Sequence, residues 1–171
     1  NDNVADDQDA FPNDPTESID TDTDGVGDNS DAFPEDASKQ YLSMTEAVAG
    51  LLDTNLNNCV VNQTQTTDTV GDITVLECNH KNIESLAGIE AFTNLINLNI
   101  EGYRGSDISP IAKLTKLDQL SIAWSCCGNA ARDLTPLLGL KQLIKLNLNN
   151  ANIKDIAVLG GLTNLRDLQI G

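Results

Sequence analysis

The sequence has few aromatic residues, one histidine and little positive charge. Only 4% of its 171 residues are aromatic, and 10 lysines and arginines stand against 26 aspartates and glutamates. A hydrophobic fraction of 40% still allows a sizeable core, which must be aliphatic. The net charge of −16 argues against nucleic acid and anionic membranes as partners, because both attract basic surfaces. No apolar run approaches the length of about 18 residues that a transmembrane helix needs, so membrane insertion is not expected.

The same scarcities limit catalysis. The chain has no recognisable serine, histidine and aspartate set and no glycine-rich phosphate loop. The single histidine, His80, stands alone and is predicted to be a surface side chain. We therefore predict that this chain is not an enzyme.

The acidic residues are concentrated at one end of the chain. Residues 1–40 contain thirteen acids and one lysine, whereas residues 41–171 contain thirteen acids and nine bases. This difference predicts a boundary near residue 40. We divide the chain into an acidic segment (residues 1–40), an N-terminal cap (residues 41–72) and a repeat region (residues 73–171).

The stretch SIDTDTDGVGDNSDAFPED, residues 18–36, has seven acidic residues and no lysine or arginine. Counted from Asp20, aspartates occupy positions 1, 3, 5, 9 and 12, with Gly25 at position 6 and Val26 at position 7. This spacing suits a hard cation, because alternate side chains converge, the glycine permits a sharp turn and a carbonyl adds an oxygen. So many protein oxygens favour Ca²⁺ over the smaller Mg²⁺. A bound Ca²⁺ would also explain the excess of negative charge.

The acidic segment is internally repeated. Residues 3–18 align with residues 25–40 at an offset of 22, which matches Phe11-Pro12 with Phe33-Pro34. The first copy lacks its positions 1 and 3, so we expect its site to be incomplete in this chain. Asp14 and Asp36 could serve a neighbouring ion, and the spacing does not assign them.

The motif D-x-D-x-D-G-x-x-D-x-x-D-A-F-P resembles bacterial thrombospondin type 3 repeats over residues 1–40. An EF-hand is disfavoured, because the proline after position 12 argues against an exiting helix. The resemblance implies an irregular chain wrapped around Ca²⁺. It implies as ligands Asp20, Asp22, Asp24, the Val26 carbonyl, Asp28 and Asp31, and for the first site Asp2, Val4, Asp6 and Asp9. The family's cysteines are absent here. The alternative is an acidic disordered linker, which composition alone favours.

Apolar residues recur with a second period of 22 in the repeat region. Ile73, Leu95 and Leu117 are 22 residues apart, as are Leu143 and Leu165, whereas Leu117 and Leu143 are 26 apart. A solenoid requires such fixed spacing, because each coil stacks its apolar edge on the next. The pattern L-x-x-L-x-L resembles internalin-type leucine-rich repeats over residues 73–171. This resemblance implies an α/β solenoid with a parallel β-sheet on its concave face.

Two features depart from the internalin pattern. The usual asparagine at position 9 of each repeat is replaced by Lys81, Tyr103, Ser125 and Ala151. The backbone groups that this asparagine would satisfy must therefore find other partners. In addition, four extra residues lie within AWSCCGNAARDL, and we expect them to form a protruding loop.

The cap is predicted to be helical. The stretch LSMTEAVAGLLDTNL can form one helix with Leu42, Val48, Leu51 and Leu52 on the side that covers the first coil. At the other end the chain stops within a repeat, at Leu168-Gln169-Ile170-Gly171. We expect the natural protein to continue beyond this point.

Four cysteines allow three disulfide pairings. Cys78 should point into the first coil and Cys59 lies in the cap, so we favour a Cys59–Cys78 disulfide between cap and coil. Cys126 and Cys127 would then form an adjacent-residue disulfide or remain thiols. Four free cysteines in a reducing compartment are the alternative. Calcium loops of this kind argue against it, because their expected affinity of about 10⁻⁴–10⁻³ M suits extracellular calcium.

The concave face is the candidate partner surface. Strand positions 3, 5 and 7 should line it with polar side chains, many of them short amides. We name as the partner face Glu77, Asn79, Asn97, Asn99, Glu101, Gln119, Ser121, Trp124, Lys145, Asn147 and Asn149. Trp124 is either an exposed interface anchor or folded inward against the inserted loop. The face could also be a solvated sheet surface without a partner.

These observations lead to one main hypothesis. The chain is predicted to be a non-enzymatic, calcium-binding protein-interaction or adhesion module of a secreted or surface-displayed bacterial protein, possessing a calcium-stiffened stalk. An unknown protein or glycan would bind the leucine-rich repeats outside the cell or at the outer membrane. The alternatives are an accessory non-catalytic region of a large extracellular enzyme and a purely structural spacer.

Overall fold

The structure, a computed structural model, describes residues 4–5, 7–14, 17–65, 68–124, 132–153 and 155–171. Two α-helices, α1 (Met44–Gly50) and α2 (Thr54–Gln63), precede five short strands. The strands are β1 (Val75–Glu77), β2 (Asn97–Asn99), β3 (Gln119–Ser121), β4 (Lys145–Asn147) and β5 (Asp167–Gln169). The described part of the acidic segment consists of turns and bends, with neither helix nor strand. Neither α-helix is long and apolar enough to cross a bilayer, and no other α-helix is described.

The strands form one parallel sheet in the order β1-β2-β3-β4-β5. The register pairs Leu76, Leu98, Leu120, Leu146 and Leu168 across the sheet. The 26-residue step from Leu120 to Leu146 keeps the same register as the 22-residue steps. The four extra residues must therefore leave the coil outside the sheet. The predicted protruding loop itself lies outside the described residues.

Short 3-10 helices return the chain on the opposite side of each coil. They span Ile89–Ala91, Ser109–Lys113, Thr135–Gly139 and Ala157–Gly161. Pro110 and Pro136 lie in the first turns of two of them, where a missing N–H has no cost. Between these helices and the sheet lies a ladder of leucine and isoleucine side chains, most of them at most 2% exposed. The fold is the α/β leucine-rich-repeat solenoid that the repeat pattern predicts.

The cap contains two helices, so the prediction of one continuous helix is wrong. Helix α1 ends at Gly50, Leu51 is extended, and Asp53 begins α2 by accepting hydrogen bonds from the N–H groups of Asn55 and Leu56. Glycine in a helix is unfavourable and aspartate is a strong N-cap, which explains the break. Leu51 is buried as expected, but Leu52 falls between the helices and is 76% exposed.

Asp53 also attaches the cap to the first coil. Its second carboxylate oxygen accepts the N–H groups of Glu84 and Ser85, at 2.8 and 3.2 Å. Burial acts to raise the pKa of Asp53, but the four backbone hydrogen bonds together lower it further than burial raises it. The carboxylate therefore stabilises both the start of α2 and the turn of the first coil.

A disulfide joins the cap and the sheet. Cys59 of α2 is bonded to Cys78, which follows β1, with 5.7 Å between their Cα atoms. The predicted pairing is confirmed. Gln63 packs beside it and exchanges hydrogen bonds with the backbone of Glu77, accepting its N–H at 3.0 Å and donating to its carbonyl at 3.1 Å. Cys126 and Cys127 lie outside the described residues.

Near the position where the internalin pattern has asparagine, backbone groups form hydrogen bonds with the neighbouring coil instead. The N–H groups of His80, Gly102, Trp124 and Asn150 each donate to a carbonyl in the following coil. His80, Gly102 and Asn150 have φ values of 55°, 87° and 60°, which turn the chain sharply after the strand. At the asparagine position itself, Tyr103 is buried and donates its hydroxyl to the Asp107 carbonyl at 2.7 Å. This burial raises the pKa of Tyr103 to about 12.

Candidate functional site

Two candidate sites exist, one in the acidic segment and one on the concave face. In the acidic segment, carboxylate oxygens of Asp20, Asp22 and Asp24 lie within 4.8 Å of one another. A tight turn brings these three carboxylates close together, and in it Thr23 and Gly25 have φ values of 64° and 93°. Glycine adopts this conformation without strain, as its place at position 6 of the loop requires.

Backbone hydrogen bonds hold these aspartates in fixed orientations. Asp20 accepts the N–H groups of Thr23 and Gly25, and Asp24 Oδ1 accepts that of Val26 at 2.8 Å. Asp31 Oδ1 accepts the N–H of Phe33 at 2.7 Å. The repeated copy shows the same contact, because Asp9 Oδ1 accepts the N–H of Phe11 at 2.7 Å.

The other oxygens of three aspartates are buried without a donor. Asp22, Asp24 and Asp31 use Oδ1 for the backbone, whereas Oδ2 of each has no hydrogen-bond partner among the described residues. A buried carboxylate oxygen without a donor or cation is unfavourable. The residues therefore fit a divalent cation at positions 3, 5 and 12 of the loop.

Mutual repulsion among these groups is visible at Asp22. Burial raises the pKa of Asp22, and the nearby negative charges of Asp24, Asp31 and Asp20 raise it further. A cation bound beside Asp22 would offset this repulsion and lower the pKa of Asp22. Such a change links metal binding to proton release.

The remaining predicted ligands have different positions. Both oxygens of Asp28 are engaged by Thr21, through its N–H at 2.8 Å and its hydroxyl at 2.6 Å. Asp28 closes the loop in this structure, and it is not one of the three clustered carboxylates. Val4 is described and half-buried, whereas Asp2 and Asp6 lie outside the described residues.

Two residues that contact the acidic loop, Glu17 and Gln40, were not predicted from the sequence. Glu17 is only 5% exposed, although it precedes position 1 of the loop and belongs to no motif position. Gln40 donates to the Asp24 carbonyl at 3.0 Å, and its own carbonyl accepts the Ala32 N–H at 3.3 Å. The 22-residue alignment gives no signal for either, because it matches Glu17 with Lys39 and Ser18 with Gln40.

The concave face forms a shallow groove of about 320 Å³. All predicted partner-face residues except Trp124 have exposed or half-buried side chains. The groove also includes Asp167 and Gln169 of β5. It is lined by Glu77, Asn97, Asn99, Glu101, Gln119, Leu120, Ser121, Lys145, Leu146, Asn147, Asp167 and Gln169.

Hydrogen bonds, most of them between coils, orient two carboxylates of the groove, those of Glu77 and Glu101. Glu101 Oε1 accepts from the Ser121 hydroxyl at 3.0 Å and from the Asn147 amide at 3.4 Å. Glu77 Oε2 accepts from the amides of Asn99 and Asn79, at 3.2 and 3.4 Å. The second oxygen of each carboxylate accepts no hydrogen bond from the described residues, so it is available to a ligand.

Of the two placements that the sequence leaves open for Trp124, the structure shows the inward one, so Trp124 is not part of the exposed partner face. Its side chain is 2% exposed, and its indole N–H donates to the Gly105 carbonyl at 3.0 Å. It packs against the Tyr103 ring, with the Arg132 guanidinium 5.3 Å from its ring centre. At the equivalent position of other coils, His80, Gly102 and Asn150 have positive φ values and turn the chain. Trp124 instead continues the strand pairing by forming a bridge with Tyr103, so its side chain points inward.

Comparisons with known proteins agree with the solenoid. An internalin (inlF) from Listeria monocytogenes has 31% sequence identity and a TM-score of 0.62, covering 77% of this chain and 39% of that one. An internalin C2 (inlC2) from the same organism has 23% identity and a TM-score of 0.61, covering 76% of this chain and 60% of that one. No protein-family model matches the sequence, and no curated protein does. The sheet, the coil register and these likenesses together identify the fold as an internalin-like leucine-rich-repeat solenoid.

Proposed function

We propose that this chain is a non-enzymatic interaction or adhesion module, in which the concave face binds a protein partner and the acidic segment binds Ca²⁺. The observation that carries the proposal is the groove with its two oriented carboxylates, Glu77 and Glu101. The likeness to internalins supports a protein-interaction role. The chain spans 39% and 60% of the lengths of those two internalins, so the activity of a whole protein is part of the proposal.

The groove is ordered before any partner arrives. Its amide, hydroxyl and carboxylate groups are bonded to one another across coils that are about 22 residues apart in sequence. Such pre-ordering reduces the entropy that would otherwise be lost when side chains are immobilised on binding. It therefore favours recognition of a partner with matching polar groups.

The charges of the groove indicate the chemistry of that partner. Three carboxylates line it, those of Glu77, Glu101 and Asp167, against the single ammonium group of Lys145. None of the three forms an ion pair with a lysine or arginine within the described ranges. A protein that presents lysine or arginine side chains complements this surface better than a neutral glycan does.

Binding assays with charged peptides test the groove. Immobilised lysine- and arginine-rich peptides should bind the intact chain more tightly than neutral peptides or oligosaccharides do. The double variant Glu77→Gln and Glu101→Gln should bind roughly 10- to 100-fold more weakly, because it loses two oriented charges. Glu84→Gln, an exposed change that is not part of the groove, is the control. The role of charge would be rejected if the intact chain bound neutral and basic ligands equally well. It would also be rejected if the double variant bound basic peptides as tightly as the Glu84→Gln control does.

The proposed calcium site is formed by Asp20, Asp22, Asp24 and Asp31, with the Val26 carbonyl as a further oxygen. The three buried Oδ2 atoms that lack donors support this assignment. Calorimetric titration with CaCl₂ should show binding to the intact chain. Asp24→Ala combined with Asp31→Ala should abolish it, whereas Glu35→Gln, an exposed acidic residue of the same segment, should not. Unchanged binding by the double variant would show that the ligand assignment is wrong.

We also propose that the module acts outside the cell or on its surface. The Cys59–Cys78 disulfide supports an oxidising compartment, since disulfides seldom persist in the cytosol. A calcium affinity of about 10⁻⁴–10⁻³ M would match extracellular calcium. A dissociation constant far below this range would contradict the assignment of compartment.

A further inference from the structure

The acidic segment contains one buried carboxylate that no loop position explains. Among the described residues, Glu17 and Asp31 are the buried charged side chains, at 5% and 9% exposure. Burial of a carboxylate is costly unless it is paired with a cation or well hydrogen-bonded. No described lysine, arginine or histidine pairs with Glu17.

The contacts of Glu17 place it against the calcium loop. Its Oε2 accepts the N–H of Asn29 at 3.2 Å. The carboxylate also fills the space beside Gly27, where a Cβ atom would collide with it. Gly27 follows the Val26 carbonyl, and its own carbonyl accepts the N–H of Asp31 at 2.9 Å. Glu17 thus rests on the turn that carries the last predicted ligand of the loop.

The free oxygen of Glu17 is one of several buried, unpartnered carboxylate oxygens in the acidic segment. Five buried carboxylate oxygens lack a hydrogen-bond partner in the part of the chain that the structure describes, and four of them lie within residues 17–31. The four are Glu17 Oε1, Asp22 Oδ2, Asp24 Oδ2 and Asp31 Oδ2. A single proton could satisfy only one of them, whereas a divalent cation accepts several carboxylate oxygens at once.

We propose that Glu17 is a further calcium ligand, which supplies Oε1 to the ion held by the loop of residues 20–31. This inference rests on the proposed calcium site. Glu17 lies in the tail of the first acidic repeat, so its participation would make the ion a link between the two repeats. Gly27 is then required as the space for the Glu17 carboxylate, which adds to the requirement for Gly25 in the turn.

The first test is Glu17→Gln, which keeps the size of the side chain and an acceptor for the Asn29 N–H but removes the charge. Calorimetric titration with CaCl₂ should show roughly tenfold or weaker affinity than in the intact chain. With calcium chelated, the variant should melt no lower than the intact chain, because a buried unpaired charge is removed. Unchanged calcium affinity would overturn the proposal, and so would equal destabilisation with and without calcium.

The second test counts the ligands of the ion. Tb³⁺ is a hard oxygen-seeking ion like Ca²⁺, and its luminescence lifetimes in H₂O and D₂O report the number of bound waters. Glu17→Ala should add about one bound water, because water fills a vacated ligand position. A merely positioning role for Glu17 would leave that number unchanged and would overturn the assignment as a ligand.

A double-mutant cycle tests the contact itself. Gly27→Ala should weaken calcium binding while leaving every carboxylate in place, since its Cβ displaces the Glu17 carboxylate. In the Glu17→Ala background the same change should have little further effect. Additive losses would contradict the proposal.

If the intact chain binds no calcium, the proposed calcium site fails too. If the intact chain binds calcium and the Glu17 variants bind it equally tightly, the proposed calcium site stands and this inference alone fails.

Discussion

The acidic segment and the solenoid are held together by different interactions. None of the described hydrophobic side chains of residues 4–40 belongs to the buried core, and most side-chain hydrogen bonds there join aspartates to nearby backbone N–H groups. In the solenoid, leucines of successive coils pack on one another and are almost fully buried. Order in the solenoid therefore comes from burial of its own apolar surface, whereas order in the acidic segment depends on a cation from solution.

The two regions meet at a short junction. Gln40 is hydrogen-bonded to the backbone beside two predicted calcium ligands, Asp24 and Asp31, and the next residue, Tyr41, packs against Gly71 of the cap. This junction links the acidic loop to the cap of the solenoid. Because the two regions are ordered by different interactions, we expect metal removal to affect mainly the acidic segment and core mutation mainly the solenoid.

Calcium removal should give the largest difference between the two regions. Chelation should raise amide hydrogen exchange in residues 17–40 by roughly 100-fold or more, because the segment lacks an apolar core to hold it. Exchange of the amides in β2, β3 and β4 should not change. Hydrogen exchange read by mass spectrometry resolves the two regions. Loss of protection in the strands as well would show that the solenoid also depends on calcium.

Truncation of a core leucine should produce the opposite pattern. Leu98→Ala removes a fully buried side chain from β2, an inner strand of the sheet, and should lower the free energy of unfolding by about 3 kcal/mol. Calcium affinity should stay the same. Ile96→Ala, two residues away at a side chain that is 42% exposed, should cost about 1 kcal/mol or less and is the control. Urea unfolding followed by circular dichroism measures both.

Removal of the disulfide should weaken the attachment of the cap. The bond closes a loop with a sequence separation of 19, so Cys59→Ala combined with Cys78→Ala should cost about 3 kcal/mol. A reducing agent should destabilise the intact chain similarly and leave the double variant unaffected. A double variant that still responds to the reducing agent would assign the effect to other cysteines.

Loss of Asp53 should have the smallest of these effects, with a characteristic pH dependence. Asp53→Ala removes a helix cap and the acceptor of two further N–H groups, at a cost of about 2 kcal/mol near neutral pH. Folding lowers the pKa of Asp53, so its contribution is full above the usual value of 3.8 and is lost as the pH falls through the folded value. Unfolding curves of the intact chain and of Asp53→Ala should therefore converge at low pH. A constant difference down to strong acid would contradict the role of the ionised carboxylate.

Periodicity made the solenoid predictable in advance. The spacing of Leu98, Leu120 and Leu146 determines which side chains face the core, and the face with Glu77 and Glu101 follows from strand alternation. The Cys59–Cys78 pairing was also predicted, because each cysteine had a defined place in its element. The thrombospondin type 3 resemblance of residues 1–40 and the calcium ligands stay predictions.

Irregular positions were not predictable in this way. Leu52 was expected to be buried on one long helix, yet the break at Gly50 leaves it exposed. Trp124 was left between two placements, because its direction depends on contacts with Tyr103 and Gly105 in the preceding coil. Glu17 gave no signal, since its burial arises from contact with Gly27 and Asn29 of the other acidic repeat.

Repetition in the amino-acid order alone thus specified the coil, the sheet register, the concave surface and the acidic loop, because period and residue type act locally and recur. Three-dimensional packing decided the inward direction of Trp124 and the burial of Glu17. Each of these depends on groups far apart in the chain, such as Gly105 beside Trp124, whose proximity no local pattern encodes.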